Sequence, residues 1–204
     1  MSGVHGQKLE EEHLVNVPNW LPVDVSIGGG PWWSANDIQA SHERRELDLR
    51  RGVLTRRALL TGPQGQRLIV VQRRLVSMHN PHLAALEMTL TADGWSGTVR
   101  VRAGIDASVA NTNVRDYAGI GQRHLTDPEF TEMDSGTVLC EVQTSQSRIR
   151  IALAVRTLFP GALGTAPRAA APVRRAHRQR CALPLAAHPP LPPPPAPPAA
   201  PPPA

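Results

Sequence analysis

Glu46 and Asp48 stand two residues apart in ELDLRRGVLTR, which puts both carboxylates on one face of an extended chain. Paired acids are the equipment of glycoside cleavage, where one protonates the leaving oxygen and the other acts as base or nucleophile. Arg44, Arg45, Arg50 and Arg51 surround them, so an ion-pair network with a structural role is the preferred reading. His79 and His82 flank a turn at a chelating spacing. No Cys, Asp or further His lies nearby to complete a metal site, and none is expected. Gly28-Gly29-Gly30 invites a phosphate cradle, but the loop lacks the lysine of such motifs, and Pro31, Trp32 and Trp33 do not open a helix. Trp32 and Trp33 could stack on a sugar, and they are the candidate substrate-binding residues. The competing reading is burial against a neighbouring surface. Ser145 and Ser147 lack a nucleophile-elbow context, and Arg148 and Arg150 face away from an apolar row. The residues alone indicate no catalytic group, metal or cofactor.

The elements that position these side chains are strands. Val53 to Leu60 and Arg67 to Ser77 are rich in Val, Ile, Leu and Thr, and Thr61-Gly62-Pro63-Gln64-Gly65-Gln66 between them has turn chemistry. This is a long hairpin. Val23 to Ile27 alternates as a half-buried strand, and a polar loop is expected from the tryptophans to about Arg45. Further strands are predicted at Leu83 to Thr91, Thr98 to Arg102, Ile105 to Ala110, Thr137 to Thr144 and Ser147 to Thr157, with 114–132 polar and irregular. In the last strand Ile149, Ile151, Leu153 and Val155 share one face that needs a partner sheet. Short strands, many turns and little helical periodicity predict an all-β, antiparallel sandwich.

Composition divides the 204 residues unequally. Residues 1–13 are polar and expected to be flexible, 14–158 form the sandwich domain, and 159–204 form a Pro/Ala/Arg-rich tail. That tail has too few large apolar side chains to offset ordering entropy, so it is expected to be disordered. Its five arginines, unaccompanied by acids, account for the whole formal charge of +5. The folded part is therefore neutral, and the high isoelectric point implies no nucleic-acid surface; the tail also lacks aromatics to stack a base. Cys140 and Cys181 lie on opposite sides of the boundary and make no disulfide framework. No secretory signal and no membrane span is visible, so a cytoplasmic protein is expected.

NVPNWLP at 16–22, ELDLRRGVLTR at 46–56, RRLVSMHNPHLAALEMTLT at 73–91 and WSGTVRVRAGIDASVAN at 95–111 occur in order. Together with TSQSRIRIALA at 144–154 they resemble the N-terminal domain of glycoside hydrolase family 65, over residues 14 to 158. The family includes maltose, trehalose and kojibiose phosphorylases and related α-glucoside hydrolases. The resemblance implies a β-supersandwich packed on an (α/α)6-barrel catalytic domain that acts on α-linked glucosyl disaccharides. It further implies inorganic phosphate as co-substrate in the phosphorylases, a barrel glutamate as general acid, and a homodimer in the full-length enzymes.

No catalytic residue of the family transfers, because the general acid and phosphate site belong to the barrel. Glu46 and Asp48 match an N-domain motif and gain no catalytic role from it. The change after Phe159 to Ala, Pro and Arg is what a shifted frame in a GC-rich gene produces, so a truncated or frameshifted member, inactive alone, is expected. Sequencing downstream of codon 158 checks this. The alternative is a stand-alone carbohydrate-binding module using Trp20, Trp32, Trp33 or Trp95, or a module whose proline tail engages SH3-like partners.

Overall fold

The computed structural model describes residues 2–4, 7–9, 14–33, 38–112, 122–134, 136–159, 168–169, 176–185 and 187–188. No helix occurs among them; the protein is all-β. The chain divides into two compact units, one formed by Met1–Trp33 with Thr98–Pro184 and the other by Ser34–Gly97 with Leu185–Ala204.

The first unit opens with β1 (Ser2–Val4) paired antiparallel to β2 (Gln7–Leu9). This small hairpin occupies a stretch whose composition predicts flexibility, because closing so short a connection costs little chain entropy. β3 (Val23–Ile27) follows as predicted. In the second unit come β4 (Gln39–Asp48), β5 (Val53–Thr61), β6 (Arg67–Val76) and β7 (Ala84–Asp93). β8 (Gly97–Asp106) returns to the first unit, which continues with β9 (Glu129–Asp134), β10 (Thr137–Gln143) and β11 (Arg150–Arg156). Within the part expected to be a tail lie β12 (Arg168–Ala169), β13 (Ala176–Leu185) and β14 (Ala187–His188). The remainder of that expectation falls outside the described residues.

In the second unit the sheet order is β14-β7-β6-β5-β4, antiparallel except for β14 against β7. The predicted hairpin is β5–β6, in register from Val53↔Leu75 to Thr61↔Arg67. Gly65, at φ 81°, takes the left-handed conformation the turn requires. Leu60, Leu68 and Ala92 form one buried row across β5, β6 and β7. Beside that row the Asp93 carboxylate is closed off from solvent and pairs with Arg67 at 2.9 Å. The expected polar loop up to Arg45 is instead largely β4. Nearly all of β4 is exposed, so it lacks the apolar alternation that marks a strand in sequence.

In the first unit one sheet runs β12-β13-β8-β3 and the other β11-β10-β9. The strand pattern expected from Thr98 to Ala110 is one strand, β8, which ends at Asp106. Ile105 at the end of β8 and Ala107 just beyond it join Val138, Cys140 and Val142 of β10 in one core, covered by Phe130, Ile151, Leu153 and Val155. The apolar face of β11 thus finds its partner, although Ile149 lies just before the strand and is exposed. β9 occupies the end of the stretch expected to be irregular. Among the described residues it is an edge strand, recognised only through its pairing with β10. No helix among the described residues is long and apolar enough to cross a membrane.

Candidate functional site

The two candidate tryptophans are placed by the turn that follows β3. Gly28 and Gly29 sit at φ 56° and 81°, a conformation that costs other residues strain, and Gly30 N–H donates to Ile27 C=O at 2.9 Å. Gly28 N–H donates to Thr98 C=O at 2.9 Å. One glycine amide is thus spent on the turn and another on the pairing with β8. The chain then runs back along β3, and Trp33 N–H donates to Val25 C=O at 2.8 Å.

Strand alternation decides what the tryptophans meet. The β3–β8 register sets Asp24 opposite Arg102 and Ser26 opposite Arg100, while Val25 and Val101 point to the buried side. Arg102 Nε donates to Asp24 Oδ2 at 2.7 Å. Arg100 Nη2 donates to Ser26 Oγ at 2.8 Å and to Gly30 C=O at 2.6 Å. Both guanidinium groups lie over the Trp32 ring, at 5.3 Å for Arg100 and 4.5 Å for Arg102, within cation–π range. Trp33 is only 6 % exposed and packs as core. The structure therefore brings Trp32 into a polar stack with Arg100, Arg102, Asp24 and Ser26, and places Trp33 beneath the surface. Arg100 and Arg102 alternate along β8 in the sequence itself. Pairing them with Asp24 and Ser26 requires a register that spans 78 residues, which local sequence does not give.

The carboxylates of β4 are occupied. Glu46 pairs with Arg44 at 3.0 Å. Asp48 Oδ1 accepts the backbone N–H groups of Arg50 and Arg51 at 3.0 and 3.1 Å, which fixes the β4–β5 turn. Its other oxygen lies 3.8 Å from Arg51 Nε. Glu43, at the bulge in β4 and not singled out in sequence, accepts from Arg45 Nε at 2.7 Å and Arg56 Nη2 at 3.0 Å. Hydrogen bonds from Arg56, then Arg45, lower its carboxyl to about 2.

The remaining candidates are turn components. His82 N–H donates to Asn80 Oδ1 at 3.1 Å, and both His79 and His82 are exposed. No group of three or more metal-ligating side chains occurs among the described residues. Ser147 shares a hydroxyl hydrogen bond with Thr144 at 2.6 Å, and Thr144 Oγ1 accepts Ile149 N–H at 2.8 Å, so this serine shapes the β10–β11 turn. Cys140 is a free, buried thiol pushed up to about 11, by desolvation first and by the Glu141 charge second.

The long sequence motifs also meet one another. Asn16 N–H donates to Asn111 Oδ1 at 2.9 Å, Asn16 Nδ2 to Ala110 C=O at 2.8 Å, and Asn111 Nδ2 to Leu14 C=O at 2.7 Å. Asn19 and Asp106 exchange backbone hydrogen bonds of 2.7 and 2.8 Å. NVPNWLP is in this way laced to the end of IDASVAN.

Comparison with known proteins follows this pattern of motifs. The profile of the glycosyl hydrolase family 65 N-terminal domain matches residues 2–190. An uncharacterized glycosyl hydrolase of Mycobacterium tuberculosis is 38 % identical over 154 residues, covering 76 % of this chain and 12 % of that protein. Kojibiose phosphorylase of Thermoanaerobacter brockii is 27 % identical over 139 residues, covering 68 % of this chain and 18 % of the enzyme. Kojibiose phosphorylase of Escherichia coli is 31 % identical over 137 residues, covering 62 % and 17 %. The chain thus spans less than a fifth of the length of each of these relatives.

Proposed function

The chain belongs to glycosyl hydrolase family 65 through its N-terminal domain, and from that premise we propose that it is the supporting β-domain of an α-glucosyl disaccharide phosphorylase or hydrolase. In this reading the chemistry resides in an (α/α)6 barrel belonging to the longer polypeptide. The barrel's glutamate is the general acid, and inorganic phosphate, or water in the hydrolases, attacks the anomeric carbon. The 204-residue chain is inactive alone, the full-length enzyme works as a homodimer, and the setting is cytoplasmic.

One observation carries the reading. Residues of the family motifs are engaged with one another: Asn16 with Asn111, Asn19 with Asp106 through the backbone, and Asp48 with its own turn. Groups committed in this way hold a scaffold. A stand-alone sugar-binding module draws little support, because Trp33 is buried and Trp32 is engaged by two guanidinium groups. The test is turnover of kojibiose, maltose and trehalose with phosphate, where the purified chain is expected to release no glucose. A saturable change in tryptophan fluorescence on adding any of these sugars would favour the binding module instead.

A further inference from the structure

β4 forms one edge of the five-stranded sheet: in the order β14-β7-β6-β5-β4 it pairs with β5 alone among the described residues. It is ten residues long, and nine of them are exposed. A free edge of that length carries a row of backbone N–H and C=O groups ready to pair with another strand, which is how sheets join edge to edge. The ladder to β5 is not regular, however. It runs from Gln39↔Thr61 to Ser41↔Leu59, then resumes at Arg44↔Arg57 and continues to Asp48↔Val53. Two residues of β4, His42 and Glu43, thus oppose Ala58 alone, which is a β-bulge. His42 sits at φ 50°, the left-handed conformation in which a bulge of this kind ordinarily places glycine. The bulge is kept although a residue with a Cβ is strained there.

We infer that the His42–Glu43 bulge is a device against edge-to-edge joining, which keeps β4 from accepting a strand of a second copy of this chain. Two physical effects act together. A bulge bends its strand and raises its twist, so the outward N–H and C=O groups on either side of it no longer lie on one line. The bulge also brings a charge to the place where one is needed. The register sets Arg45 directly opposite Arg56, and like charges in such a pair repel. Glu43 accepts hydrogen bonds from Arg45 Nε at 2.7 Å and from Arg56 Nε and Nη2 at 3.2 and 3.0 Å, so its carboxylate ties the bulge to both strands. The two-pronged grip of Arg56 holds the extra residue in place. Around it Arg44, Arg45 and Glu46 are all exposed and keep the edge charged, so a strand laid against it would have to strip water from those groups.

The test compares the unsubstituted 204-residue chain with a chain lacking His42 and, separately, with Glu43→Gln. Sedimentation velocity over a concentration series reads self-association, and hydrogen exchange of the β4 amides reads where it occurs. Deletion of His42 restores a one-to-one ladder with β5. Half-association is then expected at a protein concentration at least tenfold lower than for the unsubstituted chain, with β4 amides gaining protection as concentration rises. Glu43→Gln unties the bulge and should move the midpoint in the same direction, by at least threefold. His42→Gly keeps the bulge and relieves its strain, so its self-association should match that of the unsubstituted chain. Circular dichroism melts establish which variants are folded, and where the His42 deletion does not fold the Glu43→Gln chain decides. Folded variants that associate no more readily than the unsubstituted chain, or added association that leaves the β4 amides unprotected, would overturn the inference.

Discussion

Glu43 shows what a single residue does in this scaffold. Two arginines from neighbouring positions grip its carboxylate, and the stabilised charge lowers its pKa from 4.5 to about 2. A folded-state pKa below the unfolded one gives stability that is fully present above about 4.5 and is lost as pH falls toward about 2. NMR titration should place the Glu43 midpoint near 2, and Arg56→Ala should move it upward. Glu43→Gln should flatten that acid limb of the stability profile. Cys140 is the opposite case, a thiol raised to about 11 because burial disfavours its thiolate. In a Cys181→Ser background, a thiol reagent at pH 8 should label Cys140 only after denaturant is added. Neither role was legible beforehand. Glu43 needs the β4 bulge to meet Arg56, and the environment of Cys140 comes from three strands that local sequence does not connect.

At the scale of elements, the β5–β6 hairpin was the most legible part of the chain. Its apolar runs, Gly/Pro turn and strand lengths all agree, and both arms begin where the sequence places them. Leu68 is fully buried at the closed end of this hairpin, and Leu68→Ala should cost about 2–5 kcal/mol, read from urea unfolding. The turn after β3 was legible as a loop, and Gly29→Ala should cost about 1–2 kcal/mol for the left-handed backbone it must keep. A substitution that leaves the urea midpoint unmoved would show that the turn relaxes. β4 and β9 were missed for one physical reason. Edge strands whose side chains face water need no apolar alternation, and only their partners reveal them. The setting of Trp32 was equally out of reach, since it depends on the long-range β3–β8 register.

At the scale of the whole molecule, the family was legible before the fold was. Five motifs in order identified it, and their residues serve contacts distant in sequence, such as Asn16 with Asn111 and Asn19 with Asp106. Conversely, the acids that looked most chemical, Glu46 and Asp48, are held by an arginine and by turn amides. In the proposed function this domain supports a catalytic body carried by longer members of the family. The most direct test is a coupled assay of the purified chain with kojibiose, maltose or trehalose, with and without inorganic phosphate, beside a Glu46→Gln, Asp48→Asn double variant. The account predicts that both proteins stay at background at every concentration. Release of glucose or glucose phosphate that scales with protein and disappears in the double variant would contradict it.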